Sequence, residues 1–86
     1  MKAGELYTLY PWVKSGIVRT NDIDMKTDEM EYLSIGQDVP VLLLEMRTDR
    51  EYHGYWKVLV QDQVGWVHQS IMNSHYCKIG NEHESR

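Results

Sequence analysis

The sequence predicts an all-β fold, a small barrel or packed pair of sheets built from five or six short strands, with one short helical turn near the C-terminus. Three observations predict it. Residues 55–61 alternate with a period of two, Trp56, Val58 and Val60 on one face and Tyr55, Lys57, Leu59 and Gln61 on the other, as in a strand with one side on a core. Short runs of strand formers recur between turn signals, and helical spacing of apolar residues is missing. Phe is absent while three Trp and six Tyr are present, so the large packing groups are rings that bury a wide face and keep one polar atom wet or paired.

Taken in order, residues 6–10 are rich in strand formers and Pro11 ends the run. Lys14-Ser15-Gly16 is a turn signal, and residues 17–20 are a second short extended segment. Residues 21–31 are polar and read as a long loop or irregular hairpin; between Asp22 and Asp38 stand six acidic residues and one basic residue, Lys26. Residues 32–35 alternate into the turn at Gly36-Gln37-Asp38. Residues 39–46 form the longest apolar run, a strand with Pro40 near its start or on an edge, where no ladder donor is needed. Residues 47–53 are a charged connection whose tip is expected to be mobile. After the 55–61 strand, Asp62-Gln63 reads as a turn and residues 65–68 as a strand. Residues 69–72 read as a helical turn and 74–79 as a last short strand. One domain over residues 1–79 and a frayed tail over 80–86 are expected.

With 86 residues, the chain is near the lower limit for building its own core. The formal net charge is −4, and the nine Lys and Arg are dispersed along the chain, which disfavours nucleic acid as a partner. A nucleic-acid-binding barrel would need Arg47, Arg50, Lys57 and Lys78 gathered on one face. The single Cys77 rules out an internal disulfide framework and fits a reducing compartment. Residues 1–20 lack the apolar run of a signal peptide and no stretch reaches membrane-spanning length. A cytoplasmic location is expected, in the host cytoplasm if the source is viral.

No catalytic pattern emerges. Asp22, Asp24 and Asp28 suggest a Ca²⁺ loop, but Thr27 stands where the required Gly would be and the closing Glu is missing. A solvated acidic loop is the better reading. His75 and Cys77, with His53 or His68, lack the spacing of a zinc site, and as alternate residues of one strand they are poorly set to exchange a proton. Neither a Gly-rich phosphate loop nor Gly-x-Ser-x-Gly is present. The chain is expected not to be an enzyme and to need no cofactor or metal. Trp66 reads as core, and Trp56 reads equally as core or as the lining of a ligand groove.

The order of residues from Leu33 to Met72 resembles the Src-homology-3-like barrel, particularly its bacterial and phage branch. Gly36 precedes Val39-Pro40-Val41-Leu42; Tyr55-Trp56-Lys57-Val58, Gly65-Trp66-Val67 and Ser70-Ile71-Met72 follow in the family's order. The Pro and Tyr expected after the last turn are replaced by His68 and Ile71, and Tyr7, Tyr10 and Trp12 only loosely echo the family's N-terminal signature. The resemblance implies a groove between the acidic segment and the 47–53 loop, floored by aromatics; in the eukaryotic branch this groove takes proline-rich peptides. Carried over, Trp56 is the floor aromatic and the acidic loop meets basic ligand residues. A non-catalytic binding or adaptor module follows as the expectation. Tyr10, Trp12, Tyr55 and Trp56 would give apolar contact, and Asp22, Asp24, Asp28 and Glu29 would attract a basic protein or peptide. The alternative is an assembly subunit that oligomerises through a sheet edge.

Overall fold

The computed structural model describes residues 1–23 and 31–79. Half of the described residues lie in strands, and one short helix accompanies them in a small compact domain. The elements are β1 (Leu6–Leu9), β2 (Gly16–Arg19), β3 (Tyr32–Ile35), β4 (Val41–Thr48), β5 (Gly54–Val60), β6 (Gln63–His68), α1 (Gln69–His75) and β7 (Tyr76–Lys78). Seven strands replace the expected five or six. Residues 69–72 open a helix that continues to His75, so the last strand begins at Tyr76 rather than at residue 74. His75 and Cys77 therefore belong to different elements. The expected tail, 80–86, lies outside the described residues.

All strands join one antiparallel sheet in the order β3-β2-β6-β5-β4-β1-β7. The ladder is not closed, and no pairing links β3 to β7 among the described residues. The sheet nevertheless curls until its two ends meet across the core. At Gly16, on β2, an added Cβ would lie 2.6 Å from the Tyr76 hydroxyl on β7 and 3.1 Å from Leu9 on β1. Gln37, after β3, donates through Nε2 to the carbonyls of Pro11 and Val13 at 2.7 and 3.0 Å. The right-handed twist of strands drives such curling, and small rather than bulky residues at the contact permit it.

The core lies on the concave side. It collects Tyr7 and Leu9 from β1, Val41 and Leu43 from β4, Trp56, Val58 and Val60 from β5, and Val67 from β6. Val18, Ile35, Met72 and Tyr76 complete it. Each fully buried aliphatic side chain contributes about 1.5–3 kcal/mol relative to exposure. One polar atom is stranded there: the Tyr76 hydroxyl is buried without a hydrogen-bond partner among the described residues. Its pKa is pushed up to about 12 by burial.

Two local irregularities decide which side chains face outward. The β5–β6 turn is Gln61-Asp62 rather than Asp62-Gln63: Val60 pairs with Gln63, and both turn residues take positive φ, 50° and 64°. In β4, the register shifts between Leu43 and Glu45. Strict alternation from the buried Leu43 would point Glu45 and Arg47 at the core. The extra residue, Leu44, reverses the parity, so Glu45 pairs with Lys57 and Arg47 with Tyr55 on the convex side.

The β4–β5 loop, expected to have a mobile tip, is closed by Asp49. Its Oδ1 accepts from the backbone N–H of Glu51 and of His53, both at 2.9 Å, and its Oδ2 lies 3.2 Å from His53 Nδ1. Desolvation pushes the Asp49 carboxyl up, but these donors outweigh it and leave the group below its ordinary value.

Candidate functional site

Directly paired residues of neighbouring strands share a face, so the register writes out the convex surface. One row crosses five strands: Tyr32 (β3), Arg19 (β2), Trp66 (β6), Lys57 (β5) and Glu45 (β4). Beside it runs a second row, Arg47 (β4), Tyr55 (β5) and His68 (β6). Cations and rings alternate here. The Arg47 guanidinium carbon stands 5.3 Å from the Trp66 ring centroid and Lys57 Nζ 6.0 Å from it, within the range of cation–π attraction. The Tyr55 and His68 rings meet edge to face at 5.2 Å.

Between these rows and the start of α1 the surface sinks into a depression of about 200 Å³, lined by Ile17, Arg19, Tyr32, Tyr55, Trp66, Val67, His68 and Ile71. Ile17 and Tyr32 are 60% and 58% exposed, so apolar area is left in water at its mouth. Arg19 is buried and ties this wall to the root of the acidic segment: Nε donates to Asn21 Oδ1, Nη1 to the Ile23 carbonyl and Nη2 to the Asp22 carbonyl at 2.7 Å. These acceptors satisfy a charge that would otherwise be costly to bury. Across the depression, His68 is fixed by the helix it starts. Its Nδ1 accepts from the Ser70 backbone N–H at 3.1 Å and lies 2.8 Å from Ser70 Oγ, an N-cap made by an imidazole.

The expected site residues divide. Tyr55 lines the depression. Trp56 does not: it is 7% exposed and pairs with Val67 inside the core. Trp66, expected in the core, is as well covered at 8% but stands on the convex side. Of these two indoles, Trp66 lines the depression and Trp56 does not. Tyr10 and Trp12 form a separate feature, stacked at 4.5 Å between centroids with planes 8° apart, Trp12 being 71% exposed. The Tyr10 N–H donates to the His75 carbonyl and the Val13 N–H to the Tyr10 carbonyl, so the stack sits on an ordered turn. Asp22 is exposed at the root of the acidic segment. Asp24, Asp28 and Glu29 lie outside the described residues. Ile17, Tyr32 and Ile71 carry no site signal in the sequence; Arg47 and His68 enter there only as a nucleic-acid contact and a zinc ligand, and Trp66 as core.

Among the described residues no three of His, Cys, Asp and Glu gather as metal ligands, and no helix is long and apolar enough to cross a membrane. Compared with protein-family models, with curated proteins and with solved structures, the chain matches none.

Proposed function

We propose that the protein is a non-catalytic binding or adaptor module of Src-homology-3-like design, recognising an extended segment of a protein partner on its convex surface. The observation that carries this reading is the depression: an ordered aromatic floor whose mouth leaves Ile17 and Tyr32 largely in water. Exposed apolar side chains around a formed concavity are the usual mark of a recognition surface. Its position supports the reading further. One wall, Arg19 and Tyr32, adjoins the acidic segment, and the other, Tyr55 and His68, adjoins the β4–β5 loop, where His53 lies 6.2 Å from the His68 ring. Those are the two loops that bound the groove in the resembling family.

The acidic segment, Asp22, Asp24, Asp28 and Glu29, supplies long-range attraction for a partner with a basic surface, and the Tyr10–Trp12 stack offers a second apolar contact. The test is a titration of the ¹⁵N-labelled protein with basic, proline-rich peptides at two salt concentrations. Shifts clustered on Tyr55, Trp66 and Ile71 that weaken with salt support the reading. Binding confined to other surfaces, or no binding, defeats it.

A second reading, self-assembly through a sheet edge, draws on β3 and β7, each with one ladder neighbour among the described residues. Light scattering at two protein concentrations separates them, since a closed oligomer at both favours assembly.

A further inference from the structure

We infer that the Arg47 side of the depression receives a carboxylate, the side chain of an Asp or Glu lying beside the apolar residue that fills the depression. This rests on the peptide-binding reading above and specifies the chemistry of its occupant.

Arg47 reaches the convex surface because Leu44 reverses the parity of β4, and its guanidinium stands over the Trp66 ring. Arg47 is exposed, and a guanidinium attracted to a ring by its charge still has five N–H donors to offer a ligand. Among the described residues no carboxylate comes within 4.0 Å of it, as each neighbouring acid is engaged elsewhere. Glu45 lies 4.0 Å from Lys57, Asp49 is bonded to His53 and two backbone N–H groups, and Glu51 lies 3.7 Å from the His53 ring. A guanidinium fork without an acid partner among the described residues is complementary to a carboxylate, which it holds by two parallel hydrogen bonds. The adjoining walls, Tyr55, Ile17, Tyr32 and Ile71, are apolar or aromatic and suit an aliphatic or aromatic side chain.

The local sign is opposite to that of the whole molecule. A net charge of −4 repels a uniformly acidic ligand at a distance, whereas the two rows of the contact surface carry Arg47, Lys57 and Arg19 against one acid, Glu45. Long-range fields govern encounter and short-range pairs govern register. The occupant is therefore a peptide of mixed charge, acidic at the contact and neutral or basic beyond it.

Three capped octapeptides of one apolar sequence, differing only in a central Glu, Gln or Lys, test this against the full chain. Affinity is read from the Trp66 indole N–H and the Arg47 Nε–H resonances. The Glu peptide is expected to bind about 3- to 10-fold more tightly than the Gln peptide, and the Lys peptide most weakly. Arg47→Gln should abolish the difference between the Glu and Gln peptides. Arg47→Lys should restore part of it. Equal binding of Glu and Gln peptides, preference for Lys, or a Glu preference that survives Arg47→Gln overturns the inference but leaves peptide binding standing. Failure of all three peptides to bind removes the peptide-binding reading and this inference with it.

Discussion

Trp56 and Trp66 sit on adjacent strands, have nearly equal exposure, and face opposite media. Trp56 is enclosed by hydrocarbon, with Val67 directly across from it and Val58 and Val60 further along its face. Trp66 is roofed by Arg47 and Lys57. The coverage is the same, but what covers each ring differs. Over Trp56 it is packing that nothing small can displace; over Trp66 it is two long side chains with mobile stems, which a ligand can push aside. Accessible area measures how much of a ring is hidden, whereas the role depends on whether the lid is fixed.

The largest expected effect tests the fixed lid. Trp56→Ala should cost about 3–5 kcal/mol, in the range of large-to-small core changes, read as a fall in the urea midpoint. Trp66→Ala should cost about 1–3 kcal/mol, because its site opens to water rather than to a cavity, and it should abolish any peptide shift at Tyr55. Equal losses would end the distinction between the two rings.

A smaller effect concerns polar atoms on the two sides. On the convex face Arg19 and His68 are hydrogen-bonded, while on the core side the Tyr76 hydroxyl is not. Tyr76→Phe is therefore expected to leave stability unchanged or raise it by about 1 kcal/mol. A clear loss in thermal unfolding would mean the hydroxyl has a partner in solution. Arg47→Ala should cost no more than about 0.5–1 kcal/mol and shift the Trp66 emission, leaving that of Trp56 in place. A change in both would mean that the roof is structural.

The last test moves to the edge of the sheet. Glu5 accepts a 2.8 Å ion-pair contact from Lys78, the Lys2 backbone N–H and the Tyr7 hydroxyl, and its pKa falls to about 2 from an ordinary 4.5. A carboxyl depressed in the folded state stabilises fully above its unfolded value and loses that contribution as pH falls through the folded value. The Glu5 contribution should thus decline between pH 4.5 and about 2. Glu5→Gln should flatten the pH dependence of the urea midpoint over that window; an unchanged slope would show that the β1–β7 pair is not held this way.

Much of the fold was legible because alternation carries it. Trp56, Val58 and Val60 were assigned to one face, and they share the core. Pro40 was expected near the start of a strand, and β4 begins at the next residue. The position of Trp66 was also within reach. Any two-residue hairpin pairs even positions of one strand with odd positions of the other, so two indoles at 56 and 66 must face opposite sides whichever pair of residues forms the turn. The run Gly65-Trp66-Val67 looks uniformly apolar, and that masked the parity. The bulge was not legible. Leu42, Leu43 and Leu44 are identical in kind, so an extra residue among them leaves no gap in the pattern. Without it Arg47 cannot be assigned to the surface, and the cationic rim cannot be foreseen. The open ladder has a similar cause, since whether two edges bond is set by twist accumulated over the whole sheet.

Between Leu42 and Thr48, Leu44 is the one residue without an opposite number on β5: Leu43 faces Val58 and Glu45 faces the next residue, Lys57. Deleting that one leucine would therefore leave a regular ladder, with Glu45 and Arg47 still on the convex side and Met46 still on the concave side. The loss of a single codon would straighten the strand without turning its charged face inward. In this strand a residue's side is set by what it pairs with, and counting along the chain from Leu43 gives the wrong answer.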